Sequence, residues 1–143
     1  MNVLFVCTGN TCRSPMAQAI LEKMLSEKQI PAETDSAGIY AIKGQKTAEN
    51  TLQVLSEKYN IQNFQHKAKP CTSDLINKAD LVIGMTENHA QLLKNLFGFQ
   101  DKIISLPLEV GDPFGGDLAR YEACGEQIEK SLEILFEKGY FHD

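Results

Sequence analysis

The sequence predicts an α/β fold: a doubly wound, four-stranded parallel sheet flanked by helices, forming a single domain over residues 1–143. Three observations carry this expectation. Val3-Leu4-Phe5-Val6 and Leu81-Val82-Ile83-Gly84-Met85 are continuous apolar runs, as strands covered on both faces require. Stretches of helical period alternate with strand-like stretches, which supplies the crossovers a parallel sheet needs. A chain of 143 residues is long enough to bury a sizeable core in one domain.

The elements follow in order. Val3 to Val6 is the first strand, and the loop Cys7 to Ser14 leaves its carboxyl end. Ser14 suits a helix cap and Pro15 a first helical position, so a helix is expected from there to about Lys28. Met16, Ala17, Ile20, Leu21, Met24 and Leu25 give it one apolar face. Ala32 to Ala37 reads as a weaker strand closed by Gly38, and Thr47 to Tyr59 as a helix with Ala48, Leu52, Val54 and Leu55 apolar. Thr72 to Lys78 is a short helix. After the Leu81–Met85 strand, Glu87 to Phe97 is helical and stops at Gly98. Lys102 to Leu106 is the fourth strand. Asp117 to Lys138 is the last helix, with the stripe Tyr121, Cys124, Ile128, Leu132, Leu135 and Phe136. Gly125 inside that helix costs about 1 kcal/mol against alanine.

Composition narrows the function. The chain is 43% hydrophobic and 23% charged, with a net charge of −5, so nothing global favours nucleic acid or an anionic membrane. An anionic ligand therefore needs a locally positive site. The amino terminus lacks the pattern of a signal peptide, and no apolar run reaches the roughly 20 residues of a membrane span. These features predict a cytoplasmic protein whose four cysteines (Cys7, Cys12, Cys71, Cys124) are reduced thiols.

Sheets of this kind bind ligands at the carboxyl ends of their strands. There the chain reads CTGNTCRSP, with Cys7 followed after five residues by Arg13 and Ser14. A loop between a buried strand and a helix amino terminus turns backbone N–H groups inward, and the helix dipole adds positive potential. Thr8, Gly9, Asn10, Thr11, Cys12, Arg13 and Ser14 thus form a candidate phosphate-binding loop. Gly9 offers backbone freedom, and Asn10 tolerates a left-handed conformation. Arg13 supplies a planar fork for two phosphate oxygens. The same field favours the thiolate of Cys7, a nucleophile beneath a bound phosphate. Ser14 can donate a hydrogen bond to that sulfur. Cys7 and Cys12 lack a second ligand pair at metal spacing, so no metal or other cofactor is expected. A Cys7–Cys12 disulfide is expected only as a reversible oxidised state.

The segment VLFVCTGNTCRSPMAQAI resembles the amino-terminal signature of the low-molecular-weight protein tyrosine phosphatases, a family that includes bacterial protein arginine phosphatases. DSAG (Asp35 to Gly38), HKAK (His66 to Lys69), ADLVIGMT (Ala79 to Thr86) and DPFGG (Asp112 to Gly116) follow in the family's order, so the resemblance spans almost the whole chain. It implies that Asp112 is the general acid and then the base that activates water. It also implies that Ser36 and His66 hydrogen-bond Asn10 and keep the loop in shape. His89 and His142 have no motif around them and are expected at the surface, while Cys71 and Cys124 are expected to be packing residues.

Tyrosine-specific members usually carry an aliphatic residue at position 11 and an aromatic pair after the Asp-Pro. Here these positions hold Thr11, and Phe114 with Gly115. A hydroxyl matches the N–H groups of a guanidinium better than the face of a phenol ring. The expected function is therefore a cysteine-dependent protein phosphatase acting on phosphoarginine in proteins through a phosphocysteine, with inorganic phosphate as product. A tyrosine phosphatase is the alternative. An arsenate reductase ranks lower, because Cys71 and Cys124 do not form the closely spaced pair that its relay needs. A sugar-transport phosphocarrier would have to keep its phosphocysteine, which Asp112 opposes.

Overall fold

The computed structural model describes residues 1–142, and its first strand divides the core in two. In β1 (Asn2–Cys7), Val3, Phe5 and Cys7 face one layer of helices, and Leu4 and Val6 face the other. Alternate side chains of a strand point to opposite faces, so an unbroken apolar run must be covered twice. The remaining elements are α1 (Arg13–Glu27), β2 (Glu33–Gly38), α2 (Glu49–Tyr59), α3 (Ser73–Lys78), β3 (Leu81–Gly84), α4 (Glu87–Phe97), β4 (Ile103–Ser105) and α5 (Leu118–Glu137). A short 3-10 turn, Gln100–Lys102, leads into β4.

The sheet order is β2-β1-β3-β4 and every pairing is parallel. Cys7 lies beside Gly38 of β2, and Val6 pairs with Gly84 of β3. The chain moves from β1 to β2 on one side and returns to β3 on the other, so the loop after β1 opens at the point where the winding reverses. α1, α2 and α5 cover the Phe5 face, where Met16, Ile20, Leu55, Ile128 and Leu132 are buried. Ile76 of α3 and Ala90 and Leu93 of α4 cover the Val6 face.

The expected elements are all present, with ends displaced by a residue or two. One start differs for a chemical reason. α1 begins at Arg13, with Cys12 as its cap residue, and Ser14 does not cap it. The Ser14 hydroxyl is engaged instead by Cys7 and Asn10. Leu52, assigned to the apolar face of α2, is exposed. Among the described residues no helix is long and apolar enough to cross a membrane.

Gly125 has a packing reason that its helix propensity hides. A Cβ there would lie 3.1 Å from the Tyr59 hydroxyl, 3.2 Å from the Tyr59 ring and 3.4 Å from the Met16 sulfur. The glycine lets α5 close onto α1 and α2. The Tyr59 hydroxyl beside it is buried without a hydrogen-bond partner. Tyr59→Phe is therefore expected to stabilise the fold by about 1 kcal/mol in urea unfolding. Gly125→Ala should destabilise it by about 1 kcal/mol, because crowding outweighs the propensity gain. The loss should shrink in the Tyr59→Phe background.

Candidate active site

The loop between β1 and α1 is built around Asn10, a fully buried residue at φ +58°. The left-handed region is costly for most side chains, so other contacts must hold it. Asn10 Nδ2 donates to Ser14 Oγ at 2.8 Å and to Ser36 Oγ at 3.0 Å. Asn10 Oδ1 accepts from His66 Nε2 and from the Lys69 backbone N–H, both at 3.0 Å. Because Asn10 Oδ1 can only accept, His66 carries its proton on Nε2. Ser36 Oγ donates in turn to Gln18 Oε1 at 2.6 Å. Burial, reinforced by Lys69, lowers the pKa of His66 and keeps the ring neutral. Gly9, expected to supply the unusual backbone, does not have a positive φ, and a side chain at this position would meet nothing closer than Thr11 Oγ1 at 3.9 Å. The glycine the loop requires is Gly38, where a Cβ would sit 2.6 Å from the Thr8 carbonyl oxygen.

This arrangement aims two donors at one sulfur. The Asn10 backbone N–H donates to Cys7 Sγ at 3.2 Å. Ser14 Oγ lies 2.8 Å from the same sulfur and already accepts from Asn10, so its proton is available to Cys7. Cys12 points away into the core, where its sulfur meets the Tyr121 hydroxyl at 3.4 Å. All four cysteines are free thiols. Burial pushes the Cys71 thiol up to about 11 and the Cys124 thiol up to about 12. Both are inert packing groups at neutral pH.

Arg13 is 7% exposed, and its guanidinium is held from two sides. Nη1 donates to the Val110 carbonyl at 3.1 Å, and Nη2 to Thr8 Oγ1 at 3.5 Å. Asp112 Oδ2 lies 3.9 Å from Nη2, and Asp112 Oδ1 accepts the Phe114 N–H at 3.0 Å, which fixes the turn of the carboxylate. Cys7, Thr8, Gly9, Asn10, Thr11, Cys12, Arg13, Asp112 and Phe114 line one cleft of about 250 Å³. Ser14, Ser36 and His66 stand behind it as supports. Phe114 is 73% exposed at the rim.

Two residues of the site escaped the sequence reading. Gln45 also lines the cleft, delivered by a loop that is tied to residues 8–11 through Tyr40 N–H to Thr8 O and Ala48 N–H to Thr11 O. His89, expected at the surface, is 6% exposed. It occupies the first turn of α4, which rises from β3 beside the Cys7 loop. Its Nε2 meets Thr8 Oγ1 and its Nδ1 meets Thr86 Oγ1, each at 2.9 Å. The available signal was Thr86 three residues earlier, a helix cap that turns this first turn toward the neighbouring strand end.

Burial, then Arg13, lowers the pKa of His89 from 6.5 to about 4, against the opposing pull of Asp112 and Glu109. Between these values the unfolded chain binds a proton that the fold refuses. Stability should therefore fall as pH drops from about 6.5 to about 4, with the loss complete below that range. Urea unfolding of wild type and His89→Gln across this window should show the shallower slope in the variant.

Comparison with known proteins gives consistent relatives. The family model described as low molecular weight phosphotyrosine protein phosphatase matches residues 2–139. The chain is 36% identical to the protein-arginine-phosphatase of Bacillus subtilis, over 94% of both chains. It is 37% identical to the low molecular weight protein-tyrosine-phosphatase PtpB of Staphylococcus haemolyticus, over 90% of this chain and 92% of the other. A solved structure of the arginine phosphatase YwlE, in a mutant form with a phosphorylated active-site serine, superposes with a TM-score of 0.90 at 34% identity, over 96% of this chain and 95% of that one.

Proposed function

The chain belongs to the low-molecular-weight phosphotyrosine protein phosphatase family, and from that premise we propose that it is a cysteine-dependent protein phosphatase whose preferred substrate is phosphoarginine in proteins. The observation that carries the reading is the convergence on one cleft of Cys7, whose sulfur meets Asn10 N–H and Ser14 Oγ, with Arg13 and Asp112. A buried cation in the same cleft as a doubly hydrogen-bonded sulfur suits a dianion with an electrophilic phosphorus.

In the proposed mechanism the Cys7 thiolate attacks phosphorus in line, and the bond to the leaving atom breaks as the S–P bond forms. Arg13 and the backbone N–H groups of residues 8–13 hold the three equatorial oxygens, where charge is stabilised in the transition state. Asp112 gives its proton to the departing guanidine nitrogen. Ser14 Oγ stabilises the sulfur as it leaves in the second step, when Asp112 takes a proton from water and the phosphocysteine is hydrolysed to inorganic phosphate and thiolate. Four reduced cysteines suit a cytoplasmic setting. The partners are phosphorylated proteins.

Thr11 supports the arginine preference. It lines the cleft and offers a hydroxyl acceptor to a guanidinium, which carries several N–H donors and needs acceptors around it. Asp112 lines the same cleft, within which it can deliver its proton to a guanidine nitrogen. Matched phosphoarginine and phosphotyrosine peptides test this reading through kcat/KM. Wild type should favour phosphoarginine, and Thr11→Ile should reverse the order. A wild-type preference for phosphotyrosine would return the protein to tyrosine substrates, with Thr11 a packing variant. The acid has its own test. Asp112→Asn should slow turnover of protein substrates by about 10²-fold or more, and aryl phosphates with good leaving groups much less. Equal activity of the two proteins on protein substrates would remove Asp112 from that role.

A further inference from the structure

The mechanism above leaves one part-buried polar chain unused. It runs from the cap of α4 to the cation of the cleft. Thr86 Oγ1 accepts the His89 backbone N–H at 3.2 Å and meets His89 Nδ1 at 2.9 Å. His89 Nε2 meets Thr8 Oγ1 at 2.9 Å, and Thr8 Oγ1 accepts from Arg13 Nη2 at 3.5 Å. Thr8 is the first residue after Cys7 and lines the cleft, so the chain enters the site there. We propose that His89 is a positioning residue for the phosphatase reaction: acting through the Thr8 hydroxyl, it sets the Arg13 guanidinium in the orientation that receives the phosphoryl oxygens.

The chemistry of the three groups supports this assignment. Nη1 of Arg13 is held by a backbone carbonyl, which cannot move without the loop after β4. Nη2 meets the exposed Asp112 carboxylate at 3.9 Å and donates to a side-chain hydroxyl at 3.5 Å, which can rotate unless something fixes it. His89 does so. Either neutral tautomer serves, because a hydroxyl that donates to Nε2 or accepts from it still keeps a lone pair for Nη2. The imidazole must be neutral, since an imidazolium one hydroxyl away would repel the guanidinium. The charged groups facing it are Arg13 from α1 and Asp112 and Glu109 from the loop after β4. Burial and Arg13 hold the ring neutral at physiological pH, outweighing the two carboxylates.

The inference rests on the phosphatase reading, so its test includes binding of inorganic phosphate, which needs no turnover. The variants are Thr8→Val, His89→Phe, the double variant and His89→Gln, whose amide can still reach Thr8. Orthophosphate affinity is measured by calorimetry, kcat/KM on a phosphopeptide by phosphate release, and folding by thermal melts. The loss of an indirect support should be smaller than the ~10²-fold loss of a direct transition-state donor. Thr8→Val and His89→Phe should each lower kcat/KM by about tenfold and weaken orthophosphate binding by several-fold. The double variant should be no worse than the poorer single, because both act through one chain, and His89→Gln should recover part of the loss. Additive losses, or a folded His89→Phe with wild-type phosphate affinity and kcat/KM, would overturn the proposal. If His89→Phe does not fold, ¹⁵N spectra of the wild-type imidazole decide. The His89 ring resonances should shift on adding orthophosphate at pH 7, and unchanged resonances at saturating orthophosphate would refute it. A wild type that binds orthophosphate but turns over no phosphoprotein would refute the phosphatase reading and leave the chain itself standing.

Discussion

The site depends on one strained residue being held by four partners. Asn10 turns the backbone left-handed, and only that turn brings its own N–H under the Cys7 sulfur. Its side chain makes four hydrogen bonds, two donated and two accepted, so no polar atom of the buried amide is left unmatched. A left-handed asparagine costs on the order of 1–3 kcal/mol, and charge-free hydrogen bonds contribute about 1 kcal/mol each. Together the four bonds offset that cost. Ser36, His66 and Lys69 are therefore as much a part of the loop as the residues within it, although they lie far along the chain.

The Arg13 side of the site follows the same logic with weaker material. The buried guanidinium gains a carbonyl, a distant hydroxyl and a carboxylate at 3.9 Å, and none of the three is a short charge-assisted contact. Its remaining N–H donors are underused, which suits a cation built to receive a dianion. The two halves of the loop thus differ in kind. Around Asn10 every valence is spent on rigidity, and around Arg13 binding capacity is left open.

Much of this was legible in the sequence because Cys7, Arg13 and the loop between them are contiguous, and chemistry packed into one short run leaves a pattern. The fold was legible for a related reason: both central strands are apolar on both faces, and few other structures tolerate that. Asp112 was visible through its Asp-Pro turn only once the resemblance had given the turn a role. The misreadings share a cause. Ser14 has the right chemistry for a cap, but its hydroxyl faces a sulfur and an amide that only the folded loop provides. Gly9 and Gly125 were judged by local propensity, while the tertiary approach of Tyr59 to Gly125 decides that position and nothing decides the other. His89 carries no motif, because Thr8, its partner in the cleft, becomes its neighbour only when β1 pairs with β3. Gln45 sits on a loop whose path is set by backbone contacts to Thr8 and Thr11, which side-chain patterns do not record.

The sheet order places β1 at the centre, although it comes first of the four strands along the chain. Its register partner Leu81 lies 78 residues beyond Val3, and Val110, which holds Arg13, comes later still. The cysteine loop therefore takes its full shape only when distant parts of the chain have met it, since β1 pairs with β3, Asn10 accepts from Lys69 and Arg13 donates to Val110. A chain cut before Val110 would keep the whole CTGNTCRSP run and lack those contacts. The motif is local, while the cleft is a property of the long-range fold.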